Sequence, residues 1–449
     1  MKNSCDLMAL KFKNPVHLKK SLSFFDAMFY GVGVIIGAGI YALIGEASGI
    51  AGNATWLSFV IAAIIAGFTA MSYAELSSVF PKTAAEFVFV KHAFGSNFLA
   101  FFTSYSAILA NIFSISVVAL GFAGYLNGLF RFPIIGSAIA LIMLVSFINY
   151  LGIKESAKFN FFATLIESLG IILIIFFGLG YIGKADLLEI PPNTDFITSI
   201  LSAASLIFFA FVGFEQIANI SEETKNASRN IPKAVLFSLA FSTLLYCLAA
   251  ISVVNIMPWQ ELSKKANPLA AVAEQSFGAN AGVLLSLIGI FATSNTVLVL
   301  VLVASRMLYG LSKQHELPEN FQALETKTNS PYIAILFIMS VSIFLLFIDD
   351  IKKIALLSNY FIFTMFALVN LSAIACRFKH VTSKEHFRMP FNIGKIPLLS
   401  MFGFISCLIM LLQMTETLVL FGISLPLIFY GLILSLASFP IHLFFSRKN

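Results

Sequence analysis

The chain has 449 residues, of which 59% are apolar and only 11% are charged, far below the roughly 25% charge of a soluble domain. With a mean hydropathy of +0.92, this composition excludes a water-soluble enzyme and describes an integral membrane protein. The formal charge of +6 invites a nucleic-acid reading, but the basic residues collect on one side of the apolar runs, which is a topology signal and not a partner signal.

Apolar runs of about 20 residues predict twelve helical spans, at 26–50, 53–79, 98–123, 133–151, 159–183, 196–220, 233–256, 279–305, 332–348, 352–376, 397–415 and 420–445. Residues 1–25 read as a polar, basic tail with room for a short surface helix ending near Phe24 and Phe25. The first apolar run follows this basic start and has the length of a full span, which argues against a cleavable signal peptide. With the N-terminus inside, 22 of the 28 Lys and Arg residues fall on the inner side, and six (Arg131, Lys184, Lys264, Lys265, Lys352 and Lys353) on the outer. That bias places both termini in the cytoplasm and agrees with an even number of spans.

Span 1, from Asp26 to Ile50, carries Gly31, Gly33, Gly37, Gly39, Gly45 and Gly49. Glycine holds a helix poorly, and in lipid an opened backbone survives only where neighbouring helices or a hydrated cavity satisfy it. A break at Gly37-Ala38-Gly39 would leave carbonyls near Val34 and Ile35 and amides at Ala38, Gly39 and Ile40, ends suited to the ammonium and carboxylate of a zwitterion. The same glycines would equally serve close helix packing.

Span 2 ends in Tyr73-Ala74-Glu75-Leu76, with an inner loop from Pro81 to Gly95; span 3 carries Asn111, and Asn149 closes span 4. Span 5 holds Glu167 well inside the hydrocarbon, where an ionised carboxylate costs at least about 3 kcal/mol. It must face the bundle or a cavity. Desolvation favours its neutral form, which fits a proton carrier, the favoured reading, or a protonated acid that only hydrogen-bonds a neighbouring helix.

In span 6, Gly213 follows Phe208, Phe209 and Phe211, Glu215 comes two residues later, and the run gives way to Ser221-Glu222-Glu223. Spans 1 and 6 are five apart. A five-helix repeat would make them counterparts, an odd repeat length forces the second copy to be inverted, and such repeats place their ligand at the midplane between the two interrupted helices.

Thr293-Ser294-Asn295-Thr296 in span 8 and Ser358-Asn359-Tyr360 in span 10 are polar interruptions that either bind a ligand or join helices. Gly31, Val34, Glu167, Thr293 and Ser294 together form a candidate cation site. The segments 257–278 and 306–331 have room for short surface helices, and spans 11 and 12 read as scaffold or a contact surface. The six histidines show no metal-ligand spacing, the four cysteines no disulfide framework, and no nucleophile elbow or phosphate loop appears. No metal, cofactor or enzymatic activity is expected.

Gly31-Val32-Gly33-Val34-Ile35-Ile36-Gly37-Ala38-Gly39-Ile40-Tyr41, Ser72-Tyr73-Ala74-Glu75-Leu76 with Pro81, and Phe208-Phe209-Ala210-Phe211-Val212-Gly213-Phe214-Glu215 resemble the amino acid, polyamine and organocation permeases. So do Glu222-Glu223, Lys225-Asn226, Ile231-Pro232, Ala304-Ser305-Arg306 and Leu317-Pro318, in family order from about Phe24 to Arg377. The resemblance implies the five-plus-five inverted repeat shared with sodium-coupled symporters, alternating access, and an α-amino acid bound between interrupted helices 1 and 6. It puts Gly37, Ala38 and Gly39 on the substrate-carboxylate motif, Phe209 on the aromatic residue that closes over substrate, and Glu215 on an acidic position linked to proton sensing in some members. The sequence departs from the family at Glu167, where many proton-coupled members have a lysine that acts in place of sodium, which argues against the lysine-type mechanism and leaves sodium coupling open; it departs also at Asn226-Ala227 in place of Asn-Pro and at Ala84-Ala85-Glu86-Phe87, changes that touch loop geometry more than chemistry.

The expected fold is therefore an all-α integral membrane protein of about twelve transmembrane helices: a tail (1–25), a first repeat (26–183), an inverted second repeat (184–376), a loop (377–396), two additional helices (397–445) and a short C-terminus (446–449). The expected function is secondary transport of an α-amino acid across the cell's inner, cytoplasmic membrane by proton symport. The expected substrate is neutral or apolar, with Val34, Ile35, Gly37, Ala38, Gly39, Ile40, Asn111, Phe208, Phe209, Phe211, Gly213, Asn295 and Asn359 around it, and with Glu167 and Glu215 handling the proton. A side chain at Gly39 would block the carboxylate's approach. The alternatives are exchange of a cationic amino acid or polyamine, for which Glu215 speaks, sodium-coupled symport, and a non-transporting sensor. The expected partners are the amino acid, H⁺ or Na⁺ and the bilayer, with no nucleic acid, in a monomer or homodimer.

Overall fold

A computed structural model of the chain describes residues 22–82, 85–151, 154–326, 328, 330–348, 350–379, 386–420 and 423–446. The expected tail helix, Ala84 of the inner-loop motif, part of the loop 377–396 and the C-terminus from 447 lie outside these residues.

Span 1 is two helices, α1 (Phe24–Ile36) and α2 (Ala38–Ala51). Ser23 starts α1 with a capping box: its hydroxyl accepts from the Asp26 amide, and the Asp26 carboxylate accepts from the Ser23 amide. Span 2 is α3 (Thr55–Val79), followed by a buried-faced helix α4 (Ala85–Phe94) where the sequence suggested a loop. Spans 3, 4 and 5 are α5 (Asn97–Phe130), α6 (Ile134–Leu151) and α7 (Lys154–Gly178). Span 6 is α8 (Phe196–Ile207), a 3₁₀ turn over Phe208–Phe211, and the single turn α9 (Gln216–Asn219). Span 7 is α10 (Ala227–Ile256), and the next connection carries α11 (Trp259–Leu262) and α12 (Pro268–Phe277).

Span 8 is α13 (Ala279–Lys313), which runs on into the segment expected to leave the membrane, where a 3₁₀ turn at Glu319–Gln322 follows. Span 9 is α14 (Tyr332–Leu345), prolonged by a 3₁₀ turn to Ile348; span 10 is α15 (Ile351–Phe378). Spans 11 and 12 are α16 (Leu398–Leu412) and α17 (Leu427–Ser446). Among the described residues nine stretches are long and apolar enough to cross a membrane; the first, Phe24–Val79, contains two crossings, and Tyr332–Ile348 and Leu398–Leu412 are shorter apolar helices, which accounts for twelve.

Two short antiparallel hairpins interrupt the all-helical pattern: β1 (Asn392–Ile393) with β2 (Ile396–Pro397), and β3 (Thr417–Leu420) with β4 (Ile423–Pro426). The second corrects the start expected for span 12. Thr417, Val419 and Ile423 are β-branched and Pro426 has no amide to donate into a helix, so this apolar stretch pairs as strands.

The packing is symmetric when each span n is exchanged for span n+5. α3 lies against α10 and α5 against α13, and each of these pairs maps onto itself. α1 on α10 is matched by α8 on α3, α5 on α15 by α13 on α7, and α5 on α6 by α13 on α14. An odd-numbered repeat reverses direction, so the two interrupted spans meet at the centre in opposite senses. At one end of the bundle Glu75 of α3 holds Arg377 of α15 through both carboxylate oxygens and accepts the Met389 amide at 2.8 Å. Each side chain of the pair is only 6% exposed.

Candidate functional site

Span 1 breaks at Gly37 (φ −18°, ψ −152°), where a Cβ would sit 2.8 Å from Thr296 Oγ1. That hydroxyl is itself used at the break. It accepts the Ala38 amide at 3.1 Å and donates to Ala292 O at 3.0 Å within α13. On the other side of the break, Ile35 O accepts the Tyr246 hydroxyl at 2.6 Å.

Span 6 opens after its phenylalanines. Val212 is extended, and Gly213 takes φ +125°, a conformation L-residues rarely adopt; a Cβ there would also meet Val34 Cγ1 at 2.7 Å. Asn359 of α15 donates its Nδ2 to Ser205 O (2.6 Å) and Leu206 O (3.1 Å), carbonyls left over at the end of α8. The Tyr246 hydroxyl is also 3.1 Å from Ala210 O, so one buried side chain on α10 spans both breaks, steadied by edge contact with Phe211 and by Phe59.

Between the breaks lies a cavity. Gly33 to Ile35 and Gly37 to Gly39 form one wall, and Phe209, Val212, Gly213, Glu215 and Gln216 the facing one. Asn111 and Ser114 of α5 and Asn295, Thr296, Val299, Leu300 and Val303 of α13 complete it. The surface combines a polar end at the opened backbone with an apolar flank on α13.

Three acids stand near this space. Glu215, on the wall, accepts the Gly213 amide at Oε2 (2.8 Å) and Gln216 Nε2 at Oε1 (3.3 Å). Glu167 is fully buried behind Asn295; its Oε1 accepts Asn295 Nδ2 at 3.2 Å, while Oε2 has no partner among the described residues. Glu86 of α4 faces a side chamber that shares Asn111, Ser114, Val212, Glu215 and Gln216 with the main cavity. Its Oε1 accepts the Tyr73 hydroxyl at 3.2 Å, and burial pushes this carboxyl above the usual carboxylate range.

The sequence matches the amino acid permease family over residues 22–437. The chain belongs to this family. It is 28% identical over 424 residues to the branched-chain amino acid permease of Bacillus subtilis, covering 88% of each chain. It is 27% identical to the methylthioribose transporter of Bacillus subtilis, over 85% of this chain and 86% of that one, and 27% identical to cationic amino acid transporter 1 of Arabidopsis thaliana, over 86% of this chain and 67% of the relative. The protein is thus a multi-pass membrane permease of the amino acid class and not an enzyme.

Within this permease the sequence-predicted residues divide into two groups. Val34, Ile35, Gly37, Ala38, Gly39, Asn111, Phe209, Gly213, Asn295 and Glu215 line the cavity. Ile40, Phe208, Phe211 and Asn359 stand behind its walls: Ile40 is fully buried in α2, Phe208 packs on Phe363 and Phe366, Phe211 on Phe59 and Tyr246, and Asn359 caps α8. Gly31 is where α1 approaches Ile217 and Ser238, and the hydroxyls of Thr293 and Ser294 donate into their own helix, at Gly289 O (2.6 Å) and Ile290 O (2.7 Å). A side chain at Gly39 would project into Ala210, whose Cα is 2.5 Å from the ideal Cβ, and not into the carboxylate's approach. Tyr246, Ser114, Gln216, Val299, Leu300 and Val303 are site residues absent from the sequence reading, and Thr296 entered it only as the last member of the polar cluster in span 8.

Proposed function

We propose that this permease is a secondary active transporter that carries an α-amino acid by alternating access, with the zwitterion held between the two breaks and a proton as the coupling ion. The observation that carries the reading is the cavity bounded on two sides by opened main chain, where amide and carbonyl ends complement a carboxylate and an ammonium. The apolar flank of Val299, Leu300 and Val303 supports a neutral or apolar side chain. A cationic amino acid or a polyamine, moved by exchange, is the second reading, supported by Glu215 and Glu86 around the side chamber, which make no ion pair among the described residues. The asymmetry of Lys and Arg supports a cytoplasmic membrane location with both termini inside.

Glu167 is the acid assigned to the proton. Glu167→Gln keeps an acceptor for Asn295 Nδ2 but cannot titrate, so uptake is expected to persist at a rate that no longer changes between pH 5 and pH 8, roughly the range in which a buried carboxylate can exchange protons. Initial uptake into proteoliposomes measured across this range tests it. A wild-type pH profile in the variant would transfer the role to Glu215.

A further inference from the structure

We propose that the side chamber is a charge-selecting subsite, in which Glu86 and Glu215 hold either a proton or the cationic tip of a substrate side chain, one in exchange for the other. The inference rests on the α-amino acid reading given above and adds what decides between neutral and cationic substrates. The chamber opens from the substrate cavity, since Asn111, Ser114, Val212, Glu215 and Gln216 line both. Its remaining walls divide by chemistry. Ala107, Ala110, Met307, Ile362 and Met365 make an apolar sleeve, and Glu86 and Asn219 complete the polar side. A side chain with a hydrocarbon stem and a positively charged end, as in lysine or arginine, is complementary to both parts.

Glu86 and Glu215 are 4% and 3% exposed, interact electrostatically, and make no ion pair among the described residues. Ionising both with no cation beside them would put two like charges in one buried space, so the pair keeps a proton until a cation replaces it. Amides bridge the two acids. Gln216 Nε2 donates to Glu215 Oε1 (3.3 Å), Gln216 Oε1 accepts Asn219 Nδ2 (3.4 Å), and the Asn219 side chain reaches Glu86. Asn111, 9% exposed, adds an acceptor on the opposite element. Its Nδ2 donates to Ala107 O at 2.8 Å and lies 3.8 Å from Met307 Sδ, which leaves Oδ1 without a partner among the described residues and not enclosed by its neighbours. A carbonyl oxygen there accepts from an ammonium or guanidinium N–H and contributes no charge of its own.

The neighbouring titratable groups are committed elsewhere. From α3, Tyr73 donates to Glu86 Oε1 at 3.2 Å, and Glu75 is held by Arg377 of α15, with Cys376 beside it. Lys352 and Lys353, at the other end of α15, pair with Glu416 and Asp350. α5 carries no Asp, Glu, Lys, Arg or His, and its Tyr105 and Tyr125 hydroxyls donate to Leu434 O and Tyr41 O. From α1, Tyr30 lies within the field of Glu215 and Glu223, and from α13, Arg306 within that of Glu223. Lys91 and His92 are off the buried face of α4 that carries Glu86. A neutral substrate therefore leaves the proton on the pair, and a cationic one displaces it. Affinity for the cationic substrate rises with pH as long as the pair still holds its proton, the opposite sign to a coupling proton that binds together with substrate.

The test compares cationic amino acids with neutral counterparts of similar stem, lysine with norleucine and arginine with citrulline, on the full-length protein in lipid nanodiscs. Isothermal titration calorimetry in two buffers of different ionisation enthalpy counts the protons exchanged, and the difference within a pair cancels any coupling proton common to both. At pH 7 the cationic member is expected to release about one proton more than its counterpart, and its Kd, relative to the counterpart's, to fall by up to about tenfold per pH unit between pH 5.5 and pH 7.5. In Glu86→Gln the excess release is expected to be lost, because Glu215 then has no like charge with which to share a proton. The affinity for the cationic member relative to the neutral one is expected to fall at least about tenfold at pH 7.5 in that variant, and Glu86→Asp, which restores an acid, to recover part of it. Equal proton release within both pairs in the wild type would overturn the proposal without any variant, and so would binding of the neutral members alone at every pH. A wild-type affinity ratio in a folded Glu86→Gln would also overturn it. Protein that binds none of the four would instead overturn the α-amino acid reading, and the proposal with it.

Discussion

Gly39→Leu is expected to abolish uptake while leaving the protein inserted in the membrane. The reason lies in the contact between the two breaks. An ideal Cβ on Gly39 falls 2.5 Å from Ala210 Cα, 2.8 Å from its Cβ and 3.2 Å from its amide nitrogen. These are largely main-chain atoms, which cannot rotate out of the way, so a leucine must drive span 1 away from span 6. Overpacking of this kind costs about 1–3 kcal/mol in a well-packed core, and here the strain falls on the atoms that shape the cavity. The cavity would lose its facing walls and, with them, the alignment of Tyr246 across Ile35 O and Ala210 O. Membrane insertion depends on the hydropathy of the span, which leucine raises. Gly67→Leu is the matched control, because nothing lies within 4 Å of its ideal Cβ. Uptake normalised to membrane-fraction protein should be lost in the first variant and retained in the second; equal uptake in both would mean that the approach of the two breaks is not required.

Arg377→Met is expected to produce the largest loss of stability. It leaves the Glu75 carboxylate buried, with the Met389 amide as its remaining donor, and removing one partner of a buried ion pair costs roughly 3–5 kcal/mol. Arg377 also donates to Asn392, whose Nδ2 donates to Met389 O at 2.9 Å, so the pair organises the chain leading into β1 as well as joining α3 to α15. The double variant Glu75→Leu with Arg377→Met removes both charges and should recover most of the loss, since apolar replacement of a whole buried pair is often close to neutral. Thermal unfolding of detergent-purified protein, followed by size-exclusion fluorescence, checks both. A single variant as stable as the wild type would show that the pair is solvated and contributes little.

The break in span 1 was legible because its cause is local: glycines at 37 and 39 weaken the helix where they stand. What satisfies the break was not legible. Thr296 and Tyr246 act on Ala38 and Ile35 from 258 and 211 residues away, and a tyrosine or threonine in an apolar helix carries no mark of the carbonyl or amide that it will reach. Among the three phenylalanines of span 6, helical spacing cannot say which one turns inward once the segment leaves the α-helix, and only Phe209 does. Glu86 looked like a change in a loop. It is a buried acid because Ala85–Phe94 forms a helix packed under the bundle, with Asn219 Oδ1 accepting the Ala85 amide at 2.9 Å. The stretch from Leu420 to Pro426 reads as the start of a span because a short apolar run has no period that separates strand from helix.

The most direct test is accumulation in proteoliposomes of purified protein, screening the common amino acids one by one with an imposed pH gradient, with an imposed sodium gradient and with neither. The account predicts that at least one α-amino acid concentrates against its gradient when the outside is acidic, and that a protonophore collapses the accumulation. Binding without flux for every amino acid, or accumulation that follows sodium and ignores the proton gradient, would contradict it.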